Sequence, residues 1–249
     1  MIRSGLCSVT FRQNTMGEVI SLAVQAGLRG IEWGGDVHVP HGDLSRAAEA
    51  RKQCNNSGLA ISSYGSYCEL IDEADPGCLL DTTAELGAPV IRVWAGSQGS
   101  AQASDDDRKR IIERIRRLAE AAAARQIEVA FELHQYTLTD TVESTCGLLE
   151  AVARTNVRTY YQQTLGFSDA QNLEVFDRLS VNLSHLHISY YRSDQQTSLS
   201  EGEKLWPRVF AVVDQEDRYA LLEFVRDANP QQLMSDAAVL NRWLAEIPE

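Results

Sequence analysis

Val129-Ala-Phe-Glu-Leu-His134 reads as a strand with two unlike faces. Side chains alternate along an extended chain, so Val129, Phe131 and Leu133 share one side and Ala130, Glu132 and His134 the other. The carboxylate and the imidazole both fall toward the C-terminal end of the run. Residues 183–189 repeat the pattern, with Leu186 and Ile188 opposite His185, His187 and Ser189. Residues 220–225 set Leu222 and Phe224 against Glu223. An apolar side for a helix layer and a mixed side for an interior are what a barrel strand needs.

Outward from these runs, further β-rich segments lie at residues 6–11, 30–33, 60–64, 90–94 and 159–162. The eight recur about every 25–40 residues, most with a helical pattern between them. Thr15-Met-Gly-Glu18 is a capping box opening a helix that stops at Gly27. Residues 44–56 are amphipathic and precede Gly58, a helix stop. Ser104 and the acids Asp105, Asp106 and Asp107 suit a helix N-terminus, and Ile111, Ile115, Leu118 and Ala122 follow at helical spacing. Strands alternating with helices make a parallel sheet, and eight strands close it. The chain has 249 residues, the usual size of one such barrel. The expected fold is therefore α/β, a single-domain, parallel, eight-stranded (β/α)8 barrel over residues 1–249.

Composition narrows the function. The net charge of −12 opposes a nucleic-acid partner, whose phosphates need clustered Lys and Arg. Arg108, Arg110, Arg114, Arg116 and Arg117 do cluster, but they alternate with acids on one helix and read as a solvated face. No apolar run approaches the roughly 20 residues that span a bilayer, and no signal peptide is evident, so a cytoplasmic protein is expected. Five cysteines without a CxxC pair suggest reduced thiols. The three lysines, Lys52, Lys109 and Lys204, avoid the strand ends, which argues against Schiff-base chemistry.

In a (β/α)8 barrel the C-terminal strand ends carry the active site. Here they present Glu32, Tyr64, Arg92, Trp94, Glu132, His134, Gln162, His185, His187 and Glu223. The two remaining histidines, His38 and His41, fall in the loop after the second strand. Glu132, Gln162, His187 and Glu223 come from four consecutive strands and can converge on one ion. Three oxygens and one imidazole suit Mn²⁺, Mg²⁺ or Co²⁺ better than a structural zinc. An octahedral ion so held keeps two positions for neighbouring oxygens of a polyol or hydroxy-ketone.

Five segments together resemble the xylose-isomerase-like TIM barrels, which include sugar isomerases, ketose 3-epimerases and inosose dehydratases. They are Gly30-Ile-Glu-Trp33 with the following GGDVHVPHG, residues 87–96 (GAPVIRVWAG), Phe131-Glu-Leu-His134, His185-Leu-His-Ile-Ser189 and Leu222-Glu-Phe-Val225. The family's metal ligands are a Glu, an Asp, a His and a Glu, which correspond to Glu132, Gln162, His187 and Glu223. Position 162 departs from this pattern: a Gln oxygen can ligate but brings no charge, and Gln163 would serve if the strand shifted by one.

The resemblance implies a divalent-metal-dependent isomerase or epimerase of a small sugar, working by proton transfer next to a carbonyl. Mn²⁺ is the expected ion, with Mg²⁺, Co²⁺ and Zn²⁺ as alternatives. Glu132 and Glu223 would move the proton, and His38, Tyr64, Arg92, Trp94, His134, His185 and Arg226 would contact substrate, with Tyr67 a further wall. A lyase or dehydratase on the same scaffold is the second reading, and a non-catalytic sugar-binding barrel the third. An abasic-site endonuclease would need more His and Asp ligands and a basic face. The expected partners are a small sugar or polyol and possible further copies of the chain, with neither nucleic acid nor membrane.

Plainer roles stand beside these. Glu132 and Glu223 could be structural carboxylates tied to Arg92 or Arg158, and Gln162 or His187 an interior hydrogen-bonder. His185 reads first as a core histidine, and Glu32 as the partner of a neighbouring arginine. Tyr64 and Trp94 could be packing, and Cys7 and Cys146 read as inert.

Overall fold

A computed structural model describes residues 1–71, 76–213 and 216–247. Its strands are β1 (Ile2–Cys7), β2 (Gly30–Gly34), β3 (Ala60–Gly65), β4 (Val90–Val93), β5 (Glu128–Phe131), β6 (Val157–Tyr161), β7 (Leu183–Ile188) and β8 (Arg218–Leu222). They close into a barrel in the order β1-β8-β7-β6-β5-β4-β3-β2, and β1 pairs with β8 in parallel from Ile2 opposite Arg218 to Leu6 opposite Leu222. The helices between and after them are α1 (Met16–Gln25), α2 (Leu44–Asn56), α3 (Gly77–Leu86), α4 (Asp105–Ala123), α5 (Val142–Val152), α6 (Asp169–Leu179), α7 (Trp206–Val212) and α8 (Pro230–Ala245). This is the (β/α)8 barrel that the alternation predicts. Among the described residues no helix is long and apolar enough to cross a membrane.

The capping box at Thr15 forms as read, and the N-cap at Ser104 proves to be a second box. Glu18 Oε2 accepts the Thr15 N–H at 2.7 Å, and Ser104 Oγ accepts the Asp107 N–H at 3.2 Å. Each satisfies backbone donors that a helix start leaves without an intrahelical partner. Ser168 and Gln171 make a third box at α6.

Strand parity divides the core in two. Val129, Phe131, Leu186 and Leu222 join the large apolar layer between barrel and helices, while Ala130, Tyr160, Tyr219 and Leu221 pack inside the barrel. The interior admits Tyr219 and Leu221 because β1 and β2 place glycines across from them. A Cβ on Gly30 would lie 2.5 Å from Tyr219 Cε1, and one on Gly5 2.6 Å from Leu221 Cδ2. Large groups face small ones, so the barrel is filled rather than hollow.

One local expectation is corrected. The first strand was expected at residues 6–11, but it runs Ile2–Cys7 and gives way to a 3-10 turn at Ser8–Phe11. The hydroxyls there capture backbone donors of other elements: Ser8 Oγ accepts the Gly34 N–H at 2.9 Å and Thr10 Oγ1 the Phe224 N–H at 3.0 Å. These bonds turn the chain across the barrel mouth instead of extending the ladder. After β7, a small antiparallel hairpin pairs Tyr191–Arg192 with Gln195–Gln196. Its turn residues Ser193 and Asp194 both have positive φ (47° and 64°), as a tight two-residue hairpin requires.

Candidate metal and substrate site

The four expected ligands lie at the C-terminal mouth of the barrel. Glu132, Gln162 and Glu223 are each the first residue beyond their strand, and His187 is the penultimate residue of β7. His187 is fully buried, and its Nδ1 faces the other three. It lies 3.1 Å from Glu223 Oε2, 3.3 Å from Gln162 Oε1 and 3.8 Å from Glu132 Oε1. The Gln162 amide is oriented by its Nε2, which donates to the Leu133 carbonyl at 2.7 Å and leaves Oε1 toward the cluster. Gln163 points elsewhere, bonded through its side-chain amide to the backbone of Tyr191. The register at this strand end is thereby settled, with 162 inward.

Arg92 underlies the cluster. Its Nε donates to Glu32 Oε1 at 3.0 Å and its Nη1 to Glu132 Oε2, with the arginine only 1% exposed. Trp94 Nε1 also donates to Glu132 Oε2, at 2.9 Å. Burial alone would raise the Glu132 pKa, but the charge of Arg92, the neighbouring His187 and the Trp94 hydrogen bond together outweigh it and hold the carboxyl at about 2. Glu32 is held low in the same way, burial being overcome by Arg92, His187 and the Ser63 hydrogen bond together. Beneath His187, its Nε2 lies 3.4 Å from Glu32 Oε1, and Cys7 Sγ lies 3.8 Å from the same oxygen. Burial pushes the Cys7 thiol up, so it sits there neutral.

This set fits a divalent ion. The ligating atoms of Glu132, His187 and Glu223 lie within 4.8 Å of one another. Donors around one Mg²⁺-sized ion stand roughly 3 Å apart, since each is about 2.1 Å from the metal. The carboxylates also outnumber the cations. Glu32, Glu132 and Glu223 face the single guanidinium of Arg92, a surplus of two negative charges when His187 is neutral. Burial disfavours a charged imidazole, yet the charges of Glu223 and Glu32 still lift the His187 pKa well above its ordinary value. A dication held by this set would supply the missing positive charge. Cys7, Glu32 and His187 form a second possible ligand group, but Arg92 already neutralises Glu32 there.

At the rim, His134 stacks on Trp94 with ring centroids 4.3 Å apart, and Tyr67 meets Trp94 edge-on at 5.2 Å. Arg12 adds a residue that the sequence reading did not single out: its Nη2 donates to the Tyr67 hydroxyl at 3.1 Å, and it pairs with Asp36. A cleft of about 420 Å³ opens beside the cluster, lined by His134, Tyr136, Asp140, Gln162 and Leu165 among others.

Four expected substrate contacts are not brought to this cluster. His38 is enclosed in the β2–α2 loop, with Nδ1 3.0 Å from Ser8 Oγ and Nε2 3.1 Å from the Asn14 carbonyl. Tyr64 points outward, its hydroxyl donating to the Val39 carbonyl at 2.7 Å. A register irregularity between β2 and β3 places Ser63 opposite Glu32 and turns Tyr64 into the helix layer. His185 lies one layer deeper, between Tyr160 and Tyr219. Arg226 donates to Gln232 on the exposed flank. Arg92 reaches the cluster through its carboxylates. Glu32, seen at its strand end but given no substrate role, sits at the centre of the buried network; the legible signal was its inward parity, the same as that of Glu132.

Fold and cluster together define a (β/α)8 barrel with a carboxylate–imidazole site at its C-terminal mouth. The sequence pattern of the xylose isomerase-like TIM barrel matches residues 20–243, and the chain belongs to that family. It is 27% identical over 221 residues to a 3-dehydroshikimate dehydratase of Bacillus anthracis, covering 82% of this chain and 78% of the relative. The crystal structure of a probable 3-DHS dehydratase of Bacillus anthracis superposes with a TM-score of 0.81 at 23% identity, over 96% of this chain and 98% of the other. A xylose isomerase-like TIM barrel protein of Mycobacterium smegmatis, solved in complex with magnesium, has a TM-score of 0.77 at 15% identity, with coverages of 97% and 96%.

Proposed function

We propose that this chain is a divalent-metal-dependent lyase that removes water from a small hydroxy-ketone of the 3-dehydroshikimate type. The observation that carries it is the convergence of Glu132, Gln162 and Glu223 on His187 Nδ1; the sequence likeness to a dehydratase supports the reaction class. Glu132, Gln162, His187 and Glu223 would hold the ion, with Mn²⁺ or Mg²⁺ suited to so oxygen-rich a set. The ion would supply Lewis-acid polarisation of the substrate carbonyl, which acidifies the neighbouring C–H.

The proton needs an acceptor other than Glu132, whose carboxyl Arg92, His187 and Trp94 together hold at about 2, whose Oε2 already accepts from Arg92 and Trp94, and whose Oε1 faces the proposed ion. His134 suits the role. Its Nδ1 lies 2.7 Å from the Gln135 carbonyl, which can only accept, so Nδ1 carries the hydrogen and Nε2 keeps a lone pair. His134 Nε2 takes the proton from the carbon beside the carbonyl. The electron pair forms a carbon–carbon double bond as the β-hydroxyl departs, and the imidazolium returns the proton to that hydroxyl, which leaves as water. Trp94 holds the His134 ring by stacking and ties it to Glu132. The isomerase or epimerase first expected would use Glu132 and Glu223 as a proton-exchanging pair, a role that the low Glu132 pKa opposes.

The test is incubation with 3-dehydroshikimate, and separately with D-fructose in D₂O, with Mn²⁺ or with chelator. Metal-dependent loss of water from the first substrate, read by mass spectrometry and lost in His134→Ala, is the expected result. Deuterium entering the ketose without loss of water would replace the lyase by an isomerase or epimerase. Neither reaction with Mn²⁺ bound would leave a sugar-binding barrel.

A further inference from the structure

Glu32 is a buried carboxylate at the barrel mouth outside the proposed ligand set, and it touches two members of the machinery at once. Its Oε1 accepts from Arg92 Nε at 3.0 Å and lies 3.4 Å from His187 Nε2, while its Oε2 accepts from Ser63 Oγ at 2.7 Å. The residue is 2% exposed. Space has been kept for this arrangement on β3: a Cβ at Gly65 would stand 2.6 Å from Arg92 Nη2 and 3.0 Å from Glu32 Oε1.

We infer that Glu32 is the positioning residue of the metal centre, fixing His187 as the Nε2–H tautomer so that its Nδ1 lone pair faces Glu132, Gln162 and Glu223. A neutral imidazole has one protonated nitrogen, and the group beside the other face decides which one. Glu32 Oε1 faces His187 Nε2 at 3.4 Å, and Nε2 is a buried atom with no hydrogen-bond partner of standard geometry. A carboxylate there stabilises an Nε2–H and repels an Nε2 lone pair. Through Arg92 the same carboxylate also fixes the guanidinium that grips Glu132. One side chain on β2 thus orients two ligands, one just past β5 and one on β7, across the barrel interior. Outer carboxylates of this kind change metal affinity by about 10–100-fold when removed.

This inference rests on the metal reading above, and the experiment separates the two. Mn²⁺ and Mg²⁺ affinities of the full chain and of Glu32→Gln are measured by isothermal titration calorimetry, with far-UV circular dichroism to show that both are folded. The expected result is a folded variant whose affinity falls by about 10–100-fold, with Ser63→Ala, which removes only the donor to Oε2, showing a smaller loss. A second measurement needs no substitution: long-range ¹H–¹⁵N spectra of the Mg²⁺-loaded wild type should show His187 protonated at Nε2. Equal affinities in wild type and Glu32→Gln, or a loaded wild type protonated at Nδ1, overturn the role of Glu32 and leave the metal site standing. Failure of the wild type to take up either ion overturns both.

Discussion

Replacing Arg92 with Met should be among the most damaging single substitutions in the chain. Arg92 is 1% exposed and binds two carboxylates, Glu32 and Glu132, whose side chains are 2% and 7% exposed. Met matches much of its volume but leaves both acids without their cation. Removing one partner of a buried ion pair costs about 3–5 kcal/mol, because the remaining charge stays desolvated. For a chain of this size that lowers the melting temperature by roughly 6–20 °C. The pH dependence carries the sign. In the wild type Glu132 is depressed to about 2, so its stabilisation is full above the unfolded carboxylate value of about 4.3 and is lost as pH falls toward 2. Without Arg92, burial raises both acids, and acidification relieves the variant by protonating them. The gap between wild type and variant should therefore be widest near pH 7 and narrow on going to pH 4. Urea unfolding in the presence of chelator, at several pH values, measures it. A gap below about 1 kcal/mol at pH 7, well under the buried-pair cost, or one that does not change with pH, would refute the assignment of Arg92 as the cation of a buried triad.

Other substitutions test separate parts of the argument. Gln162→Glu puts a carboxylate oxygen against the Leu133 carbonyl in place of the amide donor; the metal-free protein should lose about 1–3 kcal/mol and recover stability on adding Mn²⁺, as thermal melts with and without the ion would show. Asp236 is pushed up by burial, so its favourable protonated state is present below the unfolded value and lost as pH rises through the folded one. Asp236→Asn should accordingly melt higher than wild type at pH 7, with the difference closing in acid. Ser104→Ala removes the α4 N-cap and should cost about 1 kcal/mol in urea unfolding, whatever the metal content.

Signals that lie within a few residues were legible in the chain. The capping box at Thr15 and the N-cap at Ser104 each satisfy a helix start by contacts three residues away, so no distant partner is needed to recognise them. The inward parity of Glu132, His187 and Glu223 follows from the two-residue period of a strand, given apolar neighbours to mark the other face. β1 was misplaced because Arg3, Ser4 and Gly5 break that apolar marking, and its pairing with β8 spans more than 200 residues of sequence. Tyr64 was taken as inward because Ser62 and Ser63 leave the parity of β3 undetermined; the bond from Ser63 to Glu32 and the irregular register decide it.

Alternation of strands and helices, with polar groups at the ends of apolar strands, was by itself enough to determine the barrel and the face on which its chemistry lies, because period and order are local properties. Only the closed tertiary structure decided which polar groups meet. It set Arg92 between Glu32 and Glu132, turned the oxygen rather than the nitrogen of Gln162 toward His187, and withdrew His38, Tyr64, His185 and Arg226 from the cluster. The physical reason is that a buried charge must find its counter-charge across the barrel, and that pairing depends on strand register and radial direction, which no single strand's sequence contains.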